Sequence, residues 1–179
     1  MVDEIMRQVQ ELARSSMINP GLRDHGWPHI IRVFRYSGRI GLAEFGDDIL
    51  LQRDCHVAAL FHDVSREYDE YDDEHGERSA RIFESLQTRL PVRDAPSIAF
   101  AIRHHCEREA PNGGFPVVEN FAAIDSIDKR IAACLWDADR LDLLRVHSRV
   151  DPAYLSLGFS RAFANSQEHR ASYSGLRSY

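Results

Sequence analysis

The chain has 179 residues, 44% of them hydrophobic and 28% charged, a balance that suits one soluble globular domain with a sizeable core. A formal net charge of −6 excludes a general nucleic-acid-binding surface but leaves room for a small phosphorylated ligand in a local cationic pocket. The cysteines Cys55, Cys106 and Cys134 form no CxxC pair, which argues against a disulfide framework or structural zinc site. With neither a leader-like start nor a membrane-length apolar run, a cytoplasmic protein without a membrane partner is expected.

The predicted elements are helices throughout. Residues 2–17 carry Ile5, Val9 and Leu12 at helical spacing. The breaker-rich stretch "NPGLRDHGWP" follows, and Pro28 suits the first turn of a helix over 28–45 with the stripe Ile30, Val33, Phe34, Ser37 and Ile40. Residues 46–64 restart the pattern, with Asp47 or Asp48 as N-cap. "EYDEYDDE" reads as an acidic loop, and 75–90 as a helix that stops before Pro91. Residues 94–109 are helical, "APNGGFP" ends them, and 117–146 carry one or two more helices. No alternating strand, repeat or linker interrupts this order. The expectation is one compact all-α domain over 1–158 and a polar tail over 159–179, docked loosely or mobile.

Nine histidines stand out in an otherwise ordinary composition. His29 shares a face with Val33, Tyr36 and Ile40, and His62 follows Leu51, Cys55 and Ala58 on another. His75 leads Ser79, Ile82 and Leu86; His105 follows Ile98, Ala101 and Ile102; Asp137 leads Leu141 and Leu144. A single such histidine is usually a hydrogen-bonded core residue. Five polar residues on five core-facing stripes would each need a separate buried partner, whereas a shared metal satisfies them together. Imidazole and carboxylate ligands suit Zn, Fe, Mn, Co or Ni. Adjacent His62 and Asp63, ~100° apart on a helix, can meet at one ion or clasp two with Asp63 as the bridge. The metal is what makes an ionised Asp63 tolerable at the end of a buried segment.

These motifs, taken in order, resemble the HD-domain metal-dependent phosphohydrolase superfamily. "HGWPHIIRV" is similar to its first motif, with His29 in the ligand place, and "ALFHDVSRE" supplies the His62–Asp63 pair. "HGERSARIF" and "AIRHHCE" resemble the intermediate motifs at His75 and His105, with His104 as the alternative to His105. "LWDADRLDLLR" resembles the last motif, whose ligand falls at its first aspartate, Asp137; Asp139 competes for the place. The resemblance spans residues 25–145 and implies an all-helical fold around a central divalent metal site of one or two ions. His29, His62, Asp63 and Asp137 would hold the primary ion. His75 and His105 would complete a second or, in a mononuclear site, contact phosphate and shuttle protons, so that Asp63, His75 and His105 carry the chemistry.

A metal so held acidifies water and neutralises charge on a phosphoryl group. Arg66, one turn beyond the His62–Asp63 pair, and Arg140, three residues beyond Asp137, are the candidate phosphate clamps; Arg32 and Lys129 are weaker ones. Tyr68, Tyr71, Trp136, Tyr154 and Phe159 are candidates to stack on a base. His25 and His29 form an HxxxH pair, but Gly26 and Pro28 exclude a metalloprotease helix. His56, His147 and His169 read as ordinary surface or core residues. The expected activity is hydrolysis of a small phosphorylated compound, with nucleotides and dinucleotides the first classes to try. The alternatives are a non-catalytic metal- or nucleotide-binding sensor module and, third, a di-iron oxygenase.

Overall fold

A computed structural model describes residues 2–111, 114–121 and 126–174, without the side chains of 2, 3 and 174. Eight α-helices are present among them: α1 (Val2–Ser16), α2 (Trp27–Phe45), α3 (Ile49–Phe61), α4 (His75–Leu86), α5 (Ala95–His104), α6 (Lys129–Asp142), α7 (Gly158–Phe163) and α8 (Gln167–Ser174). No strand occurs among the described residues, so the fold is all-α. None of the described helices is long and apolar enough to cross a membrane.

Helix starts follow local chemistry. Asp48, Asp94 and Asp128 each accept a backbone N–H from the first turn of α3, α5 and α6, satisfying donors that the helix itself leaves orphaned. Pro28 and Pro96 sit in first turns, where their missing N–H costs nothing.

Helices α2, α3 and α6 pack on one another, and α4 and α5 pair beside them, α5 also lying against α3 and α6. The core between them holds Ile30, Leu51, Leu60, Phe61, Ile98 and Trp136, all fully buried. Trp136 is therefore core rather than a stacking platform; its indole N–H donates to the Ala101 carbonyl (2.8 Å) and ties α6 to α5. Gly76 is a point of close approach: a Cβ there would lie 2.5 Å from the Arg103 carbonyl, so glycine lets the start of α4 reach the end of α5.

The 117–146 segment carries one α-helix, α6, as expected, with 3₁₀ turns at Val118–Asn120 and Leu143–Arg145; residues 122–125 lie outside the described residues. Of the stretch expected to be a polar tail, docked loosely or mobile, the described residues 159–174 are docked. Phe163, His169 and Tyr173 are buried, His169 Nε2–H donates to the Leu141 carbonyl (3.0 Å), and the Tyr173 hydroxyl donates to Asp142. Short amphipathic turns with a few large aromatic side chains bury enough surface to hold such a segment in place.

Candidate metal centre

Three of the four central histidines lie at helix ends. His62 follows the last residue of α3, His105 follows the last residue of α5, and His75 opens α4. Each turns its ring back onto a carbonyl three residues earlier. His62 Nδ1–H donates to Ala59 O (2.8 Å), His105 Nδ1–H to Ile102 O (2.6 Å), and His75 Nδ1–H to Asp72 O. For His62 and His105 the acceptor is one of the carbonyls a helix leaves unpaired at its C-terminus. The local bond fixes the tautomer, so the lone pair stands on Nε2, which points to the centre.

His29, in the first turn of α2, is fixed from far away in sequence. Its Nδ1–H donates to Asp142 Oδ2 (2.7 Å). Asp142 is fully buried and also accepts from Arg32 (2.7 and 3.0 Å), Arg145 (3.3 Å) and the Tyr173 hydroxyl.

The four Nε2 atoms surround Asp63, whose two oxygens divide between them. Oδ1 lies 3.1 Å from His75 and 3.3 Å from His105. Oδ2 lies 3.5 Å from His29 and 3.7 Å from His62. Asp139 completes the second set, its Oδ1 3.3 Å from His29 Nε2 and 3.9 Å from His62 Nε2. Within each pair of rings the nitrogens nearly touch, His29 to His62 at 3.1 Å and His75 to His105 at 3.0 Å.

These donors fit a cation. With both Nδ1 protons of His75 and His105 given to carbonyls, two lone pairs of the neutral rings meet at 3.0 Å, a repulsive contact that a positive charge between them relieves. In the other pair a proton takes that part. Burial and Arg145 oppose a charge on His29, but hydrogen bonds to Asp139, Asp142 and Asp63 outweigh them and raise its pKa to about 10. His62 beside it moves the other way, to about 4, because burial outweighs the pull of Asp63. Burial would raise Asp63, yet the surrounding imidazoles of His62, His105, His29 and His75 hold it well below the usual carboxylate range. Asp139 is likewise lowered, chiefly by His29 against the effect of burial. Donor atoms of His29, His62 and Asp139 fall within 4.8 Å of one another, as do those of His62, Asp63 and His105. A third group, His75, His105 and Cys106, brings in a thiol that no sequence motif marked as a ligand; burial pushes the Cys106 thiol up to about 11, which favours the neutral form over a ligating thiolate.

Asp137 requires a correction. It is fully buried, and its carboxylate accepts from the backbone N–H groups of Ser156 and Leu157 (2.8 Å each). It braces the segment before α7, while Asp139 faces the centre. Two residues apart on a helix, the pair points to nearly opposite sides. Between His104 and His105 the structure brings in His105; His104 packs on Phe100 and pairs with Glu107.

The centre forms the floor of a cavity of about 370 Å³. Arg66 lies on its wall with Nη2–H donated to His25 Nε2 (3.1 Å) and Nη1–H to Asp72 O (3.4 Å). Arg140 also lines it, but its outer nitrogens donate to Tyr154 O (2.8 Å) and Pro116 O (2.6 Å), so it braces two loops rather than presenting a free fork. Arg32 serves Asp142, and Lys129 donates to Phe121 O (2.6 Å) away from the cavity. Tyr71 is on the rim, and Tyr154 lines a neighbouring cavity. Phe159 stacks on Phe163 at a different surface.

A family model for the HD domain matches residues 26–144, about two-thirds of the chain. The chain belongs to the HD domain family. The matched HD segment contains every residue of the centre, from His29 to Asp139, and ends before the docked C-terminal helices. A crystal structure of a predicted HD superfamily hydrolase from an uncultured Thermotogales bacterium has the same fold, with a TM-score of 0.60 at 21% identity over 95% of this chain and 86% of that one. No curated protein matches the chain.

His25, Asp142 and Arg145 were not singled out from sequence as parts of the site. A usable signal existed for one of them: Asp139 and Asp142 are three apart, on one face of α6, and both meet His29.

Proposed function

We propose that the protein is a metal-dependent phosphohydrolase acting on a small phosphorylated compound. The observation that carries this reading is Asp63, a buried carboxylate with each oxygen turned to a different pair of histidines, the arrangement of a bridge between two divalent ions. His29, His62 and Asp139 would hold one ion with Asp63 Oδ2, and His75 and His105 the other with Oδ1. Bound there, the ions would acidify water and neutralise charge on the phosphoryl oxygens. In the reaction a water oxygen bonds to phosphorus, the ester P–O bond breaks, and the leaving oxygen keeps the electron pair and takes a proton.

The protein's own groups do the rest. The i−3 carbonyls hold His62, His75 and His105 in one tautomer and keep their Nε2 atoms aimed inward. Asp142 does this for His29. Arg66, 7% exposed and supported by His25, is fixed on the cavity wall and offers charge-assisted hydrogen bonds to phosphate.

Elemental analysis of purified protein, with a screen of phosphomonoesters, phosphodiesters and nucleotides, tests the proposal. We expect about two equivalents of transition metal, one per histidine pair, and hydrolysis that a chelator abolishes. A metal-replete protein inactive on the whole panel would overturn it in favour of a sensor or oxygenase role.

A further inference from the structure

Arg66 is buried on the cavity wall, yet no carboxylate pairs with it among the described residues. Arg32, Arg78 and Arg145 each meet one, at Asp142 or Asp72. The acceptors that hold Arg66 are neutral: His25 Nε2 (3.1 Å) and the Asp72 carbonyl (3.4 Å). Such acceptors fix a guanidinium without cancelling its charge, which stays available to an anion in the cavity. A carboxylate in the same place would compete with that anion.

The bond from Arg66 to His25 depends on where the imidazole proton sits. A neutral imidazole accepts at one nitrogen only when the other carries the proton. With the proton on Nε2, His25 would set an N–H against the N–H of Arg66. On the far side of the ring, Nδ1 lies 3.0 Å from Asp69 Oδ1. An ionised carboxylate only accepts, so this contact keeps the proton on Nδ1 and the lone pair towards Arg66. The same carboxylate, in the acidic loop, also accepts the backbone N–H groups of Arg23 (3.0 Å), Asp24 (3.2 Å) and His25 (3.0 Å). One side chain 44 residues away thus fixes His25 in both place and tautomer.

We infer that Asp69 is a positioning residue for substrate phosphate: through His25 it holds Arg66, with its charge uncancelled, towards the phosphoryl group at the centre. The inference rests on the phosphohydrolase reading and gives the acidic loop a part in phosphate binding.

Calorimetric titration of inorganic phosphate into metal-loaded protein tests it, with metal content measured for every variant. Arg66→Ala should bind phosphate about tenfold or more weakly, as expected for lost charge-assisted bonds. Asp69→Ala should lose most of the same affinity and keep its metal. The two losses should not add: the double variant should bind within about twofold of Arg66→Ala alone. His25→Gln, whose carbonyl can stand where Nε2 stands and needs no proton placed by Asp69, should keep most of the parent's affinity. His25→Phe, a ring without an acceptor, should fall to the level of Arg66→Ala. In the Zn²⁺-loaded parent, nitrogen NMR of the His25 ring should show the proton on Nδ1; a proton on Nε2 overturns the inference whether or not Asp69→Ala folds. Losses that add, metal lost from Asp69→Ala, or parent-like affinity in Arg66→Ala or His25→Phe also overturn it, and leave the reaction class standing. A metal-loaded parent that binds no phosphate removes the phosphohydrolase reading and this inference with it.

Discussion

His29 and His105 both present Nε2 to the centre, but they are held by different means. The Nδ1–H of His105 rests on a carbonyl three residues back in its own chain turn, as do those of His62 and His75. That of His29 rests on a carboxylate 113 residues away, which two arginines and a tyrosine also hold. The His75–His105 half of the centre thus depends on the ends of two adjacent helices. The His29–His62–Asp139 half depends on the packing of α2, α3 and α6 and on the docking of α8. The second kind of support tunes ligand basicity more strongly, because an ionised carboxylate pulls on the ring proton harder than a carbonyl does. The half it supports should bind its ion more tightly.

The largest expected effect breaks the comparison at its shared member. Asp63→Ala should remove all metal, since both halves lose an oxygen. Asp139→Asn should empty the His29–His62 side, and His75→Ala the other, each leaving about one equivalent of about two. Metal analysis after gel filtration reads the difference. If His75→Ala kept both ions, the second half would not be a metal site, and His75 and His105 would act on substrate instead.

A smaller effect is expected on the opposite side of α6. Asp137→Asn should keep the parent's metal content, because its carboxylate is held by the Ser156 and Leu157 N–H groups on the side of α6 away from the centre. It should lower stability by about 1–3 kcal/mol, the cost of leaving a buried donor without its acceptor. Chemical denaturation of the metal-loaded protein would show this. Loss of metal in Asp137→Asn with retention in Asp139→Asn would reverse the orientation of α6.

That orientation marks where the sequence stopped being legible. The helices α2 to α6 and the four central histidines could be read from apolar spacing, most clearly in α2 and α4, where partly exposed polar residues face away from the buried stripe. In α6 every residue from Ile131 to Asp142 is buried except Asp139, which is partly so. A helix buried all round has no polar face to set its phase, so Asp137, on the Leu141 side, looked as well placed as Asp139. The C-terminal segment was illegible for another reason. Helix α7 spans only six residues, too few to show a helical period. The side chains that dock this segment, Phe163, His169 and Tyr173, are scattered among polar neighbours. The i−3 locks on the helix-end histidines depend on helices ending where they do, and predicted boundaries ran past those ends: 46–64 was read as one helix, whereas α3 stops at Phe61.

The finest test sharpens the contrast between the two kinds of support. Tyr173 donates to Asp142 Oδ1, while His29 donates to Oδ2 of the same carboxylate. Tyr173→Phe removes one hydroxyl and keeps the ring that packs against Tyr36 and His169. Without that bond Asp142 is left to the arginines and His29, and its freedom to rotate loosens the grip on His29 Nδ1. Loss of an outer partner of a metal ligand costs about 10–100-fold in affinity when the partner touches the ligand directly. One bond further out, the low end is expected, about tenfold, and on one ion only. Titrating metal-free protein with Co²⁺, whose visible spectrum reports each ion's ligand geometry, would separate the two halves. The tighter step should weaken in Tyr173→Phe, and the His75–His105 step should stay where it is in the parent. Equal weakening of both steps would mean that α8 stabilises the fold as a whole and that the centre is supported evenly.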